Sequence, residues 1–303
     1  MSPSDSLAAT GEDQLVSLLT KGLPQSARTL HGPGDDCAVL RNHDSSSLTL
    51  FKTDCLVAGI HFTMDTDPAR VGAKALNRTI SDIAAMGGQP TEALITLALP
   101  PDLPLSWPLG LYKGLRNAAR RSHTGIAGGE TSSLPKGAPP VISIALLGAV
   151  APPHLVLRST GQPSHIIAVT GRLGGSIAGH HLDFKPRLAE AQWLAAHGPP
   201  SAMMDLSDGL AKDLPRLAAA SHTGWHLLPD SIPRRRHCST QQALSDGEDY
   251  ELLATFPPDI WPDLSAAWRL QFPRLPLTAI GTLTAPDIKT PPLSGGWDHF
   301  PSP

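Results

Sequence analysis

Acidic side chains occur in this chain where apolar sequence would be expected. Asp35 and Asp36 sit side by side in GPGDDCAVL (32–40) and run straight into a strand pattern. Asp54 lies in the middle of LFKTDCLV (50–57), and Asp82 interrupts ISDIAAMG (80–87). Glu130 follows Gly128 and Gly129, and Asp205 and Asp208 flank Leu206-Ser207 in MMDLSDGL (203–210). An acid embedded in apolar sequence is costly unless it is paired or metal-bound. Taken singly, each suits a cap or a local salt bridge, with Arg78 the near partner for Asp82 and Lys52 for Asp54. Taken together they outnumber the basic residues close in sequence, and one shared site for several divalent cations is more economical. Hard oxygen donors without an organised His or Cys set select Mg²⁺ over zinc. The expectation is that the acids, Asp35 and Asp36 included, are balanced by shared Mg²⁺ and not by basic side chains.

A Mg²⁺ cluster points to phosphate chemistry. The chain has neither a GxxxxGK[ST] loop nor a kinase catalytic-loop and DFG set, so any ATP would be held mainly through metal ions. GRLGG (171–175) reads as a strand-to-helix turn, with a phosphate contact as the minor reading. The thirteen histidines offer no ligand pair at convincing spacing. His180 and His181 read as surface or packing residues, His61 as a satisfied turn histidine, and RRRH (234–237) as a solvated face.

The elements that must position these acids mix helix and strand. A strand is expected at 47–57, a helix at 68–87 between Pro68 and Gly87-Gly88, a strand at 92–100, a helix near 106–122 and a strand at 141–150. After a crossing at APPHLVL (151–157) come strands at 165–171, 202–205, 249–256 and 277–283. Helices near 175–197, 208–221 and 258–269 alternate with them. Residues 1–10 read as a tail and 12–20 as a short amphipathic helix. The expected fold class is α/β in two domains, 1–150 and 151–303.

Composition narrows the functional classes. The 303 residues are 41% hydrophobic and 17% charged with a net charge of −3, which lacks the basic excess of a nucleic-acid partner. Three scattered cysteines argue against a disulfide framework or a zinc site and fit a reducing cytoplasm. No basic stretch leads into a long apolar run at the N-terminus, and no run is long enough for a membrane span.

Seven motifs then occur in order: GPGDDCAVL, KTDCLVAGIHF, SDIAAMGG, AGGET, DLSDGL, GEDYEL and the terminal GGWDHF. The set resembles the thiamine-monophosphate kinases, of the superfamily that includes aminoimidazole ribonucleotide synthetase. The resemblance runs from about residue 12 to 300. It implies an N-terminal mixed sheet that forms a barrel across a homodimer, and a C-terminal α/β domain that closes the site. The implied reaction is transfer of a phosphoryl group from ATP to thiamine monophosphate. Carried over by motif position, Asp36, Thr53, Asp54, Asp82, Glu130, Asp205 and Asp208 would be metal ligands. Gly129, Arg158 and Ser207 would contact ATP, and His61, Glu248 and Trp297 the substrate. An indole suits stacking on a flat cationic ring.

The chain also departs from the pattern. Lys52 stands where the family has a small hydroxyl residue, and its ammonium either replaces one ion's charge or points away. Glu130 replaces Asp, Thr79 replaces the Asn of NLSD, Asp246 replaces a Gly, and QPSH (162–165) replaces a KPGD turn. Two alternatives stay open at this level. One is a kinase or ligase of the same scaffold acting on another phosphorylated or carboxylated small molecule; the other is a non-catalytic nucleotide or thiamine phosphate binding protein.

Overall fold

Alternation of apolar and polar residues builds the first sheet. In the computed structural model, which describes residues 6–43, 46–288 and 290–300, six strands form it: β1 (Thr29–His31), β2 (Ala38–Arg41), β3 (Leu48–Val57), β4 (Gln89–Leu99), β5 (Gly125–Ser133) and β6 (Val141–Val150). Their order is β1-β2-β3-β6-β4-β5, antiparallel throughout except for the parallel β4–β5 pair. The sheet is therefore mixed. Period-two geometry sends Leu50 and Leu56 into the core while Phe51 and Cys55 are exposed on the other face. Leu94 of β4 and Leu147 of β6 are also exposed.

Two short N-terminal helices, α1 (Leu7–Thr10) and α2 (Glu12–Thr20), precede this sheet, and α3 (Pro68–Ala85) and α4 (Ser106–Ser122) pack with it. Pro68 occupies the first turn of α3, and the Asp67 carboxylate accepts from Ala69 N at 2.9 Å, which fixes where the helix begins. Ile80 and Ile83 of α3 join Leu50, Ile95, Ile144 and Leu146 in a continuous core. The two helices touch backbone to backbone at Gly72 and Gly114. A Cβ on Gly72 would lie 2.0 Å from Leu111 O, and one on Gly114 would lie 1.8 Å from Ala69 O.

The second sheet is antiparallel, in the order β8-β10-β7-β11-β9. Its strands are β7 (Ile166–Thr170), β8 (Ala202–Asp205), β9 (Gly224–Leu227), β10 (Leu252–Phe256) and β11 (Leu277–Thr284). On one face α7 (Leu210–Ala220) inserts Leu210, Leu214 and Leu217 against Ile167, Val169 and Leu253. On the other, α6 (Leu188–His197) and α9 (Trp261–Gln271) pack Leu194 and Trp268 against Met203 and Phe256. Ala84 and Ala85 at the end of α3 join that second cluster, so α3 serves both cores. The short helices α5 (His180–Asp183) and α8 (Thr240–Ser245) lie in the connections.

Several expectations change. Residues 7–10 are helical, while residues 1–5 of the expected tail lie outside the described residues. GIAGGETS lies within β5, a strand the glycines hide. The helix expected over 175–197 is broken into a 3₁₀ turn, α5 and α6, at Gly179 with its φ of 128° and at Pro186, which cannot continue a helix. Strand β10 starts at Leu252 and not at 249, since Glu248 and Tyr250 hold left-handed backbone at φ 52° and 50°.

Candidate active site

Helix α3 carries a polar stripe at four-residue spacing, so Lys74, Arg78 and Asp82 share one face. Each meets a different acid or base. Lys74 is completely buried and bonds Glu248 at 2.7 Å, His181 Nδ1 at 2.8 Å and the His61 carbonyl at 2.6 Å. Arg78 pairs with Asp54 of β3, with Nε 3.1 Å from Oδ2 and Nη2 donating to Oδ1 at 3.2 Å. Asp82 accepts from Lys52 Nζ of β3 at 2.8 Å. The local pairing expected from sequence is thus exchanged: Lys52 serves Asp82, and Arg78 serves Asp54.

At the far end of the stripe, Asp36 (leading into β2), Asp82 and Asp205 (at the end of β8) converge. One oxygen from each lies within 4.8 Å of the others, and all three residues are buried. Asp205 also accepts from Ser81 Oγ at 2.6 Å. Burial drives the Asp82 carboxyl well above the usual carboxylate range despite Lys52, with Asp205, Asp54 and Asp36 adding repulsion. Burial and the neighbouring Asp36 push Asp205 up to about 7. Lys52, stabilised by Asp82 and Asp54 against its own burial, is held above its ordinary value and stays charged. The donors are hard oxygens, crowded and short of positive charge, which suits Mg²⁺.

Arg158 corrects the expectation that no basic side chain balances the first acidic pair. Its guanidinium takes both oxygens of Asp36, with Nε to Oδ2 at 3.2 Å and Nη2 to Oδ1. Asp35 instead caps backbone, accepting from Asp36 N at 2.9 Å and Arg158 N at 3.0 Å. Burial and then Asp36 raise the Asp35 carboxyl to about 6.

At the other end of the stripe a cavity is lined by His61, Arg78, Ser207, Asp208, Glu248, Tyr250, Trp297 and His299 among others. The Glu248 carboxylate would be raised by burial, but its hydrogen bond with His181 and the charge of Lys74 outweigh that and bring it to about 2. Burial, with Arg78 next, lowers His61 to about 4, so its ring is neutral near pH 7. Its Nδ1 accepts from Val57 N at 3.0 Å. Trp297 is 43% exposed, and its backbone N donates to Asp208 O at 2.8 Å, which ties the C-terminal segment to the start of α7.

The structure gathers His61, Glu248, Trp297, Ser207 and Asp208 at one cavity and Asp36, Asp82 and Asp205 at one cluster. It does not gather everything. Asp208 pairs with Arg216 at 2.5 Å and stands outside the three-acid group. Thr53 projects from the opposite face of β3 to Lys52 and Asp54. Gly129 and Glu130 lie on β5, the edge strand, where Glu130 is exposed and accepts only from Thr131 N among the described residues.

Lys74, to which the sequence assigns no role, and His181, expected as a surface or packing residue, together hold Glu248. The four-residue spacing of Lys74, Arg78 and Asp82 is a signal that finds the first of these. His181 carries no such signal, because its partners are 107 and 67 positions away in the chain. RRRH is also not wholly solvated: Arg235 pairs with the buried Asp249.

Comparison with known proteins gives the family. The family described as AIR synthase related protein, N-terminal domain, matches residues 34–150. The thiamine-monophosphate kinase of Rhodopirellula baltica is 35% identical, with 79% of each chain covered. That of Escherichia coli strain K12 is also 35% identical, covering 90% of this chain and 92% of its own. The chain belongs to the thiamine-monophosphate kinases. Within that family, the solved structure of AaThiL complexed with AMPPCP and TMP superposes with a TM-score of 0.83 at 29% identity, covering 97% of this chain and 99% of that one. The thiamine-monophosphate kinase from Stenotrophomonas maltophilia gives a TM-score of 0.71 at 28% identity. Among the described residues no helix is long and apolar enough to cross a membrane.

Proposed function

We propose that the protein transfers the terminal phosphoryl group of ATP to thiamine monophosphate, giving ADP and thiamine diphosphate. The observation that carries the reading is the polar stripe of α3. It joins a cavity able to take a cation, with Glu248 charged and Trp297 at its rim, to a cluster of three carboxylates suited to metal-bound phosphates. Thiamine monophosphate has a flat cationic part and a phosphate, and the two ends of the stripe match them in that order.

Asp36, Asp82 and Asp205 would hold Mg²⁺ with Asp54 next to them, and Asp208 enters the reading only by its motif position. When bound, Mg²⁺ supplies charge neutralisation for two phosphate groups that otherwise repel. Thr53, Glu130 and Gly129 enter the reading only as positions at which family motifs place ligands. Ser207 and Arg158 are assigned to ATP on the same ground. Lys52 contributes one fixed positive charge to Asp82, which favours the reading of this lysine as a stand-in for part of the ionic charge.

The chemistry needs no general base. The attacking group is a phosphate oxygen that is ionised near neutral pH. A new P–O bond forms to the γ-phosphorus while the bond to the β–γ bridging oxygen breaks, and ADP leaves with those electrons. The protein's work is alignment. Glu248, pinned by Lys74 and His181, and the neutral ring of His61 shape the cavity, and Trp297 excludes water from its mouth.

The two sheets are read as two working units: residues 1–150 for ATP, metal and dimer contacts, and residues 151–303 for closing the site. A second copy would cover the outer face of the first sheet, where Phe51, Leu94 and Leu147 are exposed. Three free cysteines suit a cytoplasmic setting. The direct test is purified protein with ATP, Mg²⁺ and thiamine monophosphate. Thiamine diphosphate should accumulate in step with ADP. Its absence across a range of metal concentrations would overturn the reading.

A further inference from the structure

We propose that Arg78 is a substrate-binding residue that takes the phosphate of thiamine monophosphate and makes the site prefer the phosphorylated vitamin to thiamine itself. The inference rests on the kinase reading and adds a residue to it. Three observations support it.

The first is position. Arg78 lines the cavity with His61, Glu248 and Trp297, and among the described residues it is the one arginine or lysine in that lining. On α3 it stands midway between Lys74, which holds Glu248, and Asp82, which belongs to the acidic cluster. Four residues of helix advance about 6 Å. A substrate with its cationic end by Glu248 and its reactive end towards the cluster must pass its phosphate by Arg78.

The second is unspent bonding capacity. A guanidinium has five N–H donors. Those of Arg78 make one bond to Asp54 Oδ1 at 3.2 Å and one long bond to Cys55 O at 3.5 Å. The Nε–H faces Asp54 Oδ2 at 3.1 Å and is buried without a hydrogen bond among the described residues. Asp54 thus occupies the Nε–Nη2 edge, and each terminal nitrogen keeps one N–H over. The two terminal nitrogens form the edge left to take a phosphate through two oxygens.

The third is electrostatic setting. Asp54, Glu248 and Asp82 lie around the guanidinium, with Lys74 as the neighbouring cation and the neutral His61 ring beside it. Arg78 is thus the fixed point of attraction for an anion entering a cavity whose lining also carries Asp208, Asp246 and Glu248. Without it the phosphate would meet Glu248 and Asp54 unscreened.

The test compares thiamine monophosphate with thiamine by calorimetry at one fixed Mg²⁺ concentration. Wild-type protein should bind the phosphorylated form more tightly. In Arg78→Met that preference should fall by about 10- to 100-fold, while thiamine affinity changes by less than about threefold. Equal losses for both ligands would mean that Arg78 only supports the cavity wall, and an unchanged preference would mean that it does not touch the phosphate; either result overturns the proposal. Should the methionine variant fail to fold, Arg78→Lys decides, since it keeps the charge and loses the fork: a reduced preference supports the assignment and an intact one overturns it. Wild-type protein that binds thiamine monophosphate no better than thiamine would bring down the kinase reading together with this one. Clear preference in wild type that survives in both variants would bring down this one alone.

Discussion

Asp82 and Glu251 are both buried carboxylates, and their surroundings differ in kind. Glu251, beside β10, is gripped by Arg187 through Nε at 2.6 Å and Nη2 at 2.5 Å and accepts from Thr170 Oγ1 at 2.8 Å. Its charge is answered by one cation in a bidentate pair. Asp82 has a single ammonium and two other carboxylates in reach, and burial keeps its proton on well above the normal range. The first arrangement is complete as it stands. The second is costly as it stands and improves when a divalent cation or its equivalent arrives. Buried acid alone is thus uninformative; what separates a structural carboxylate from a site carboxylate is whether the protein itself finishes the bonding.

The largest effect that would break this contrast is on turnover. Asp82→Asn should lower kcat by about a thousandfold or more, because it removes a carboxylate from the metal-binding group. The same variant relieves the crowding by Asp36 and Asp205 but takes the carboxylate from Lys52, so its melting temperature in EDTA should differ little from wild type. Near-normal turnover would show that the cluster is not the phosphate-transfer site. Glu251→Gln is the mirror case. It strands Arg187 and should cost about 3–5 kcal/mol of folding stability by denaturant titration, while the folded fraction keeps its kcat. If its stability were unchanged, the bidentate pair would not be the structural element described.

Protonation sharpens the contrast at a smaller scale. The Asp205 carboxyl is raised from 3.8 to about 7, so the folded state holds a proton that the unfolded state has released. Stability from this group is greatest below about pH 4 and is lost as pH rises to about 7. Glu248 is lowered from 4.5 to about 2, so its contribution is full above about pH 4.5 and is lost on acidification towards 2. In EDTA, Asp205→Asn should therefore gain on wild type between pH 4 and 7. The deficit of Glu248→Gln should stay flat above pH 5 and shrink below it. Thermal melts across pH check both, and parallel curves would contradict the assignment. The smallest expected effect is at Trp297→Ala, which should raise KM for thiamine monophosphate by about 2- to 30-fold with little change in KM for ATP.

Much of the site was legible because its acids break apolar patterns. Asp54 and Asp82 stand out on their elements, and period-two alternation in β3 already separates Lys52 and Asp54 from Thr53. Partnership was less legible. Proximity in sequence pairs Lys52 with Asp54 and Arg78 with Asp82, yet β3 lies against α3 so that the pairs exchange. Arg158 is 122 positions from Asp36 and is brought to it by the connection between the two sheets, which no local pattern reports. The edge strand β5 was hidden by its glycines, and His181 by its place beside a second histidine. Periodicity reports which face a residue occupies; it does not report which other element closes on that face.

The close contact of Gly72 with α4 reaches further than packing. Because α3 lies flush on its neighbour, it has almost no freedom to slide or roll, and Lys74, Arg78 and Asp82 are carried as marks on one rigid ruler. A shift at the glycine would displace these three side chains together, while Asp36, Asp205 and Glu248 stay on their own elements. The spacing along the stripe survives such a shift, but its match to the groups that face it does not. The glycine contact therefore sets the register between one helix and the elements that complete the site.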